Sequence, residues 1–172
     1  MKNITIRKYS HKWKKTNLLD DLKFREIAKS KSAIEEILRE ILKDNKLEVV
    51  SSVEQRNKSK FYFHGVILDC ECKLSTSEIV NIEVQVENND DPILRMRYNQ
   101  SLLTIENSPK NKDFKYKTIP KIISIMFCNF DLFKMNEPIY EVKKFVNSSN
   151  IEVNNGVIEI YVNLKSKADD EK

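Results

Sequence analysis

Glycine, histidine and cysteine are scarce in this chain of 172 residues, which has two glycines, two histidines and three cysteines. Cys70 and Cys72 alternate with polar residues along an apolar strand pattern, and Cys128 lies in another apolar run. None of the cysteines forms the Cys-x-x-Cys pair of a typical zinc site, and two histidines do little to complete one. We therefore expect the cysteines to be reduced core residues, with neither a structural zinc site nor a disulfide.

Long apolar segments are also missing. The longest candidate, residues 119–133, is interrupted by Pro120, Lys121, Asn129 and Asp131, whereas a membrane-spanning helix needs about 20 apolar residues. No apolar segment follows the first positive charges, so we expect no secretory signal. With 40% hydrophobic and 33% charged residues, the composition predicts a soluble globular protein of the cytoplasm with no membrane partner.

Positive charge is concentrated at the start of the chain. The first 15 residues contain six lysines and arginines and no acid, a charge of +6 against +4 for the whole chain, so the remainder sums to −2. This basic arm, residues 1–16, includes Trp13 and could contact phosphates through Lys12, Lys14 and Lys15 while its aromatic residues stack on bases. A solubilising tail, or a segment that packs Trp13 on the domain, explains the composition equally well.

The spacing of apolar residues predicts the order α-α-β-β-β-α-β-β-β in one α/β domain over residues 17–165, followed by a disordered tail over residues 166–172. A capping box at Ser32 and Glu35 opens the second helix, and Pro92 occupies the first turn of the third. The helical patterns cover residues 18–29, 32–42 and 92–107, and the strand patterns cover residues 47–53, the hairpin 61–87, 119–130, 139–146 and 157–164.

Two strictly alternating strands form the predicted hairpin. In residues 66–74 and 80–87 every second residue is apolar, and a polar break centred on Thr76 separates the two runs. With the turn at Thr76, opposed residues have numbers that sum to 152, which places Asp69 opposite Glu83 and Ile67 opposite Gln85. Opposed Cβ atoms lie about 4.5–5.5 Å apart.

Two carboxylates at this separation repel one another, so the pairing of Asp69 with Glu83 needs an explanation. The strands could present an ordinary solvated face on which Lys73 and water absorb the repulsion. Alternatively, the pair could hold Mg²⁺ or Mn²⁺, which prefer carboxylate, carbonyl and water oxygens. The spacing alone leaves both explanations open.

Several segments resemble, in order, the motifs of the PD-(D/E)XK nucleases, and more closely the recombination-promoting nuclease and transposase branch of that superfamily. The resemblance covers about residues 18–165 and implies a restriction-endonuclease-like α-β-β-β-α-β core, a mixed central sheet flanked by helices, with extra C-terminal strands. The matching segments are DLKFREI at residues 21–27, IEEILREIL at residues 34–42, Leu68-Asp69 with NIEVQ at residues 81–85, RMRY at residues 95–98, Tyr116 with residues 122–127, and the closing strand at residues 158–165.

The resemblance also implies the residues of the active site. Asp69 and Glu83 would bind Mg²⁺, the backbone carbonyl of Val84 would be a further ligand, and Gln85 would take the place of the usual catalytic lysine. An amide can orient water or phosphate by hydrogen bonds, but it supplies no positive charge.

Many nucleases of this fold add an acid from the helix before the first strand. Here the candidates are Glu35, Glu36 and Glu40, of which Glu40 and Glu35 flank the apolar stripe of the helix and are favoured over Glu36. The solvated face of a helix would explain all three equally simply.

Two arginines follow the Glu-x-Gln strand. Arg95 and Arg97 could bind the DNA backbone through charge-assisted hydrogen bonds. A structural alternative pairs Arg95 with Asp91 or Glu87 and packs Tyr98 in the core.

The sequence as a whole therefore predicts a metal-dependent DNA endonuclease that hydrolyses phosphodiester bonds in recombination or transposition. A homodimer is also expected, because cleavage of both strands usually takes two active sites. The alternative prediction is a nuclease-fold protein without turnover that binds nucleic acid or a protein partner, since Gln85 replaces the lysine. RNA remains open as a substrate.

Overall fold

The computed structural model of the protein describes Phe24 and residues 27–58, 66–89, 91–112 and 114–167. The basic arm with Lys12, Lys14 and Lys15, the start of the predicted hairpin and residues 168–172 lie outside the described residues. Among the helices that are described, none has the length and apolar character that a membrane crossing requires.

The described elements are α1 Lys31–Leu42, β1 Val49–Lys58, β2 Val66–Leu74, β3 Ile79–Gln85, α2 Pro92–Asn107, a 3-10 helix Tyr116–Thr118, β4 Ile122–Cys128, β5 Ile139–Val142, β6 Phe145–Val146, β7 Ile151–Glu152 and β8 Val157–Asn163. A six-stranded mixed sheet forms the centre of the fold, and its strand order is β1-β2-β3-β4-β8-β5. The first three strands pair antiparallel, β4 and β8 continue parallel to β3, and β5 closes the edge antiparallel to β8. The predicted α/β class with a restriction-endonuclease-like core is confirmed.

Helices cover both faces of the sheet. The apolar stripe of α1, which includes Ile34 and Leu38, packs with Cys70, Cys72 and Ile82 in one core cluster. On the opposite face, α2 contributes two residues to two smaller clusters: Met96 packs with Met126 and Tyr161, and Leu103 packs with Ile79 and Ile122. The central strands β3 and β4 are consequently buried on both sides, as their continuous apolar character predicts for β4.

The cysteines lie where the sequence predicts them. Cys70, Cys72 and Cys128 are buried and form no disulfide. Burial raises the pKa of the Cys128 thiol to about 12, so this thiol stays protonated and unreactive at neutral pH.

Three local predictions need correction. Ser30, not Ser32, caps α1, because the Ser30 hydroxyl accepts the Ala33 N–H at 3.3 Å. The strand predicted over residues 139–146 is divided into β5 and β6, and β6 pairs with the two-residue strand β7, which is too short for a periodicity to reveal. Residue 166 belongs to the fold and not to the predicted tail, since the buried Ser166 donates its hydroxyl to the Asn136 carbonyl at 3.0 Å.

Candidate active site

Strands β2 and β3 pair in the predicted register and then separate. The observed partners Cys70–Ile82 and Lys73–Ile79 have numbers that sum to 152, as expected from a turn centred on Thr76. The pairing ends at Cys70 and Ile82, although β2 continues beside β1 and β3 continues beside β4. Ile67 and Gln85 are therefore not paired as predicted, and the strands diverge at Asp69 and Glu83.

Asp69 occupies the point of divergence. Its Oδ2 accepts the backbone N–H of Val84 at 2.8 Å, which replaces a bond of the interrupted ladder. In an antiparallel pair, the N–H and C=O of one residue point toward the same neighbouring strand. The carbonyl of Val84 is therefore directed, like its N–H, into the gap where β2 and β3 separate.

Glu83 is a buried carboxylate, with 1% of its surface exposed. Its Oε1 accepts the Asn81 side-chain amide at 3.1 Å, and its Oε2 forms an ion pair with Arg95 Nη2 at 3.1 Å. Burial, and after it the charge of Asp69, raise the pKa of Glu83 to about 7, although Arg95 and Asn81 both act to lower it. The expectation of a solvated polar face is therefore wrong for β3.

Arg95 links Glu83 to Gln85. Its Nη1 donates to the Gln85 side-chain oxygen at 3.2 Å, while the Gln85 nitrogen donates to the Glu87 carbonyl and to Asn89 Oδ1, both at 2.9 Å. The amide of Gln85 is thus held with its oxygen toward the guanidinium. This places a positive charge beside the side chain that stands where the family's lysine is expected.

The structural alternative for the helix that follows is not observed. Asp91 caps α2 by accepting the Leu94 N–H at 3.2 Å, and Tyr98 is exposed on the surface instead of packing in the core. Arg97 is exposed as well. Arg95 and Glu83 are separated by a strand end, a loop and a helix start, and no periodicity in the sequence encodes their pairing.

The three acids of α1 lie on the helix that packs against the opposite face of the sheet. Glu35 pairs with Arg39 at 2.7 Å and accepts the Val49 N–H at 2.8 Å, so its carboxylate anchors the start of β1. Glu36 is exposed and Glu40 is half-buried, as the helical stripe predicts. Within the described chain, no three His, Cys, Asp or Glu side chains gather where they could hold a metal ion. A third ligand from α1 stays a prediction.

A row of buried and half-buried polar residues crosses the sheet next to these carboxylates, and only isolated polar residues in apolar runs indicate it in the sequence. Asn81, Ser124 and Glu159 are register neighbours on β3, β4 and β8. Glu159 accepts the Gln100 amide at 3.1 Å and the Tyr161 hydroxyl at 2.8 Å. The row leads directly to Glu83, since Asn81 donates to it.

Several buried polar atoms in this row and on the helix above it form no hydrogen bond with the described residues. The side-chain oxygens of Asn81 and Ser124 and both amide atoms of Asn99 are buried without a hydrogen bond. Asn99 lies on α2 between Met96, which packs on Met126, and Leu103, which packs on Ile122. Asn99 therefore faces β4 between Ile122 and Met126, where Ser124 lies.

Comparison with known proteins gives a match to a family model but not to an individual protein. No curated protein and no solved structure matches the chain. The family model described as PD-(D/E)XK nuclease family transposase matches residues 19–172, a span that includes the diverging strands, Asp69, Glu83, Gln85 and Arg95. This chain belongs to the PD-(D/E)XK nuclease family of transposases.

Proposed function

We propose that this protein is a divalent-metal-dependent endonuclease that hydrolyses phosphodiester bonds of DNA in recombination or transposition. Membership of the family supports nuclease-type chemistry on a nucleic acid. The observation that carries the proposal is the arrangement at the end of β3. Two neighbouring carboxylates lie where the strands separate, and Arg95 bridges one of them to Gln85.

The residues at this position fit a hard divalent cation. Asp69 and Glu83 offer carboxylate oxygens, and Val84 directs its carbonyl into the same gap, which is the oxygen chemistry that Mg²⁺ and Mn²⁺ prefer. The burial of Glu83 beside Asp69 is costly in the absence of a cation, as its raised pKa indicates. When bound there, the ion would lower the pKa of water and stabilise charge on the scissile phosphate.

In this proposal, Gln85 and Arg95 together replace the catalytic lysine. Gln85 can position the phosphate or the attacking water by hydrogen bonds, but it remains neutral. Arg95 supplies the missing charge in this proposal, and its side chain is about one-third exposed. A planar fork of donors suits phosphate oxygens.

The direct test is nicking of supercoiled plasmid in Mg²⁺ and in Mn²⁺ by the native protein and by Asp69→Ala. Glu48→Ala is a matched control, because Glu48 is an exposed acid outside the site. Cleavage by the native protein and the control, with none by a folded Asp69→Ala, supports the proposal. Equal cleavage by all three proteins would show that the activity does not depend on Asp69 and would contradict the proposal.

A second candidate function is nucleic-acid binding without turnover. It is favoured by the ion pair that Arg95 forms with the Glu83 carboxylate, since the same oxygen would have to serve a metal ion. Metal-independent binding of DNA by a folded protein that cleaves neither in Mg²⁺ nor in Mn²⁺ would select it. Competition between DNA and RNA of the same sequence identifies the preferred nucleic acid in either case.

A further inference from the structure

The loop that connects α2 to β4 is strongly basic. Residues 108–121, the basic loop, contain five lysines and one acid, Asp113. All five lysines are exposed on the surface, and among the described residues Lys121 forms an ion pair with Glu78 at 3.8 Å. The lysines are Lys110, Lys112, Lys115, Lys117 and Lys121.

Two aromatic side chains stand among these lysines. Tyr116 is 84% exposed and Phe114 is 39% exposed, and their rings meet edge to face with centroids 5.5 Å apart. Solubility alone explains exposed lysines, but it does not explain an aromatic ring left almost wholly in water. Alternating cations and exposed aromatic rings are the composition of surfaces that bind nucleic acid.

The backbone around Tyr116 is ordered. The 3-10 helix Tyr116–Thr118 is closed by the Thr118 N–H and hydroxyl, which donate to the Lys115 carbonyl at 2.8 Å and 2.7 Å. The tyrosine is therefore presented from a fixed turn, which reduces the conformational entropy lost when a ligand binds.

The basic loop joins the sheet near the start of β3, and the carboxylates lie near the end of that strand. The loop leads into Ile122, which pairs with Ile79 at the start of β3, whereas Glu83 and Gln85 lie at its end. Four residues of strand separate Ile79 from Glu83, about 13 Å, and the 16 residues of α2 span about 24 Å. At 3.4 Å per base pair, these lengths correspond to roughly 4–7 base pairs of duplex.

We infer that the basic loop binds the flank of the nucleic-acid substrate, roughly 4–7 base pairs from the scissile bond. Its lysines contact backbone phosphates, and Tyr116 packs against the sugar or a base. The inference rests on the proposed function, because it takes the position of the scissile bond from Asp69 and Glu83. It adds a second contact region that fixes how much substrate the protein needs.

The test compares the affinity for two duplexes in the Asp69→Asn background, which is expected not to cleave. One duplex of about 6 base pairs, with the scissile position at its centre, extends about 3 base pairs to each side and stops short of the loop, and one of about 30 base pairs extends well past it. The test variant is Lys115→Glu with Lys117→Glu. The control, Lys46→Glu with Lys165→Glu, changes charge equally at two exposed lysines outside the basic loop.

We expect the loop variant to bind the long duplex at least tenfold more weakly, with a salt dependence reduced by about two phosphate contacts. Its affinity for the short duplex should fall much less. Tyr116→Ala should also weaken binding to the long duplex, and Tyr116→Phe should retain it, because stacking needs the ring and not the hydroxyl.

Several other outcomes would contradict the inference. An equal loss in the control variant, or no loss in the loop variant, overturns the inference while leaving the nuclease proposal intact. If the long duplex binds neither the parent protein nor the variants, both proposals fail. If Tyr116→Ala leaves binding to DNA unchanged but abolishes binding to another protein, the loop is a protein-docking surface and the inference is wrong.

Discussion

The Arg95 guanidinium donates to a carboxylate oxygen of Glu83 at 3.1 Å and to the amide oxygen of Gln85 at 3.2 Å. One cation thus holds together the buried acid of the candidate site and the residue that stands in place of a lysine. The contact also gives Arg95 two separable roles. It compensates the Glu83 charge in the folded protein, and in the proposed nuclease it would offer positive charge to a substrate phosphate.

Replacement of Arg95 should affect stability and activity together. Arg95→Ala leaves the Glu83 carboxylate buried without its cation, so we expect a loss of about 1–3 kcal/mol in the free energy of unfolding at pH 8. Arg95→Lys keeps the charge but cannot contact both partners through a planar fork. It should recover more stability than plasmid nicking. Denaturant unfolding and nicking assays on the same preparations measure both effects, and unchanged nicking by Arg95→Ala would exclude the catalytic role.

Glu83 should make the metal-free protein less stable as pH rises. Its pKa increases from 4.5 in the unfolded chain to about 7 in the fold, so the folded state binds more protons between these values. The contribution of Glu83 is therefore complete below pH 4.5 and is lost as pH rises through 7, about 3 kcal/mol in all.

Glu83→Gln should remove this dependence. Because the amide cannot ionise, the variant should be more stable than the native protein at pH 8 and nearly equal to it at pH 5. Thermal or denaturant unfolding across this range, in the presence of a chelator, measures the difference. Parallel pH profiles for the two proteins would show that Glu83 is not the group responsible.

A divalent ion should offset the loss of stability that the ionised Glu83 causes at high pH. If Asp69 and Glu83 bind Mg²⁺ or Mn²⁺, either ion will stabilise the native protein at pH 8, by about 2.7 kcal/mol at a concentration one hundred times the Kd. Asp69→Ala and Glu83→Gln should lose this response, whereas Glu48→Ala should keep it. A shift of similar size in all four proteins would indicate binding elsewhere.

The sequence predicted the register of the site but not its surroundings. Alternation and a turn at Thr76 were enough to predict the register from Lys73–Ile79 to Cys70–Ile82, because side chains alternate along a strand and a short turn fixes the pairing. They did not predict that the strands separate at the next pair, Asp69 and Glu83. The burial of Glu83 was not predictable in this way. It depends on α2 lying across the polar face of β3, and that packing is decided by Met96 and Leu103 and not by the strand itself.

Long-range polar contacts were the other unpredictable part. The pairing of Glu35 with Arg39 follows from helical spacing, but the bond from Val49 to Glu35 needs the path of the chain between them. The same applies to the row of Asn81, Ser124 and Glu159, which come from three strands that are distant in sequence and adjacent in the sheet.

This row leads to a last prediction, about Asn99. Both of its amide atoms are buried without a protein partner in the described part of the chain, as are the side-chain oxygens of Ser124 and Asn81. Buried polar atoms of this kind are usually satisfied by ordered water, which forms about three hydrogen bonds. We expect such water to connect Asn99 with Ser124 and Asn81, and so to orient the amide that donates to Glu83.

Asn99→Leu should therefore destabilise the protein by about 1–3 kcal/mol, because the leucine displaces the water and leaves Ser124 and Asn81 unsatisfied. The double variant Asn99→Leu with Ser124→Ala should cost less than the sum of the single variants, since both remove parts of one network. Unfolding by denaturant measures these differences. Two additive costs would show that Asn99 and Ser124 act independently. A gain in stability for Asn99→Leu would show that its amide is a net cost, retained for a purpose other than folding.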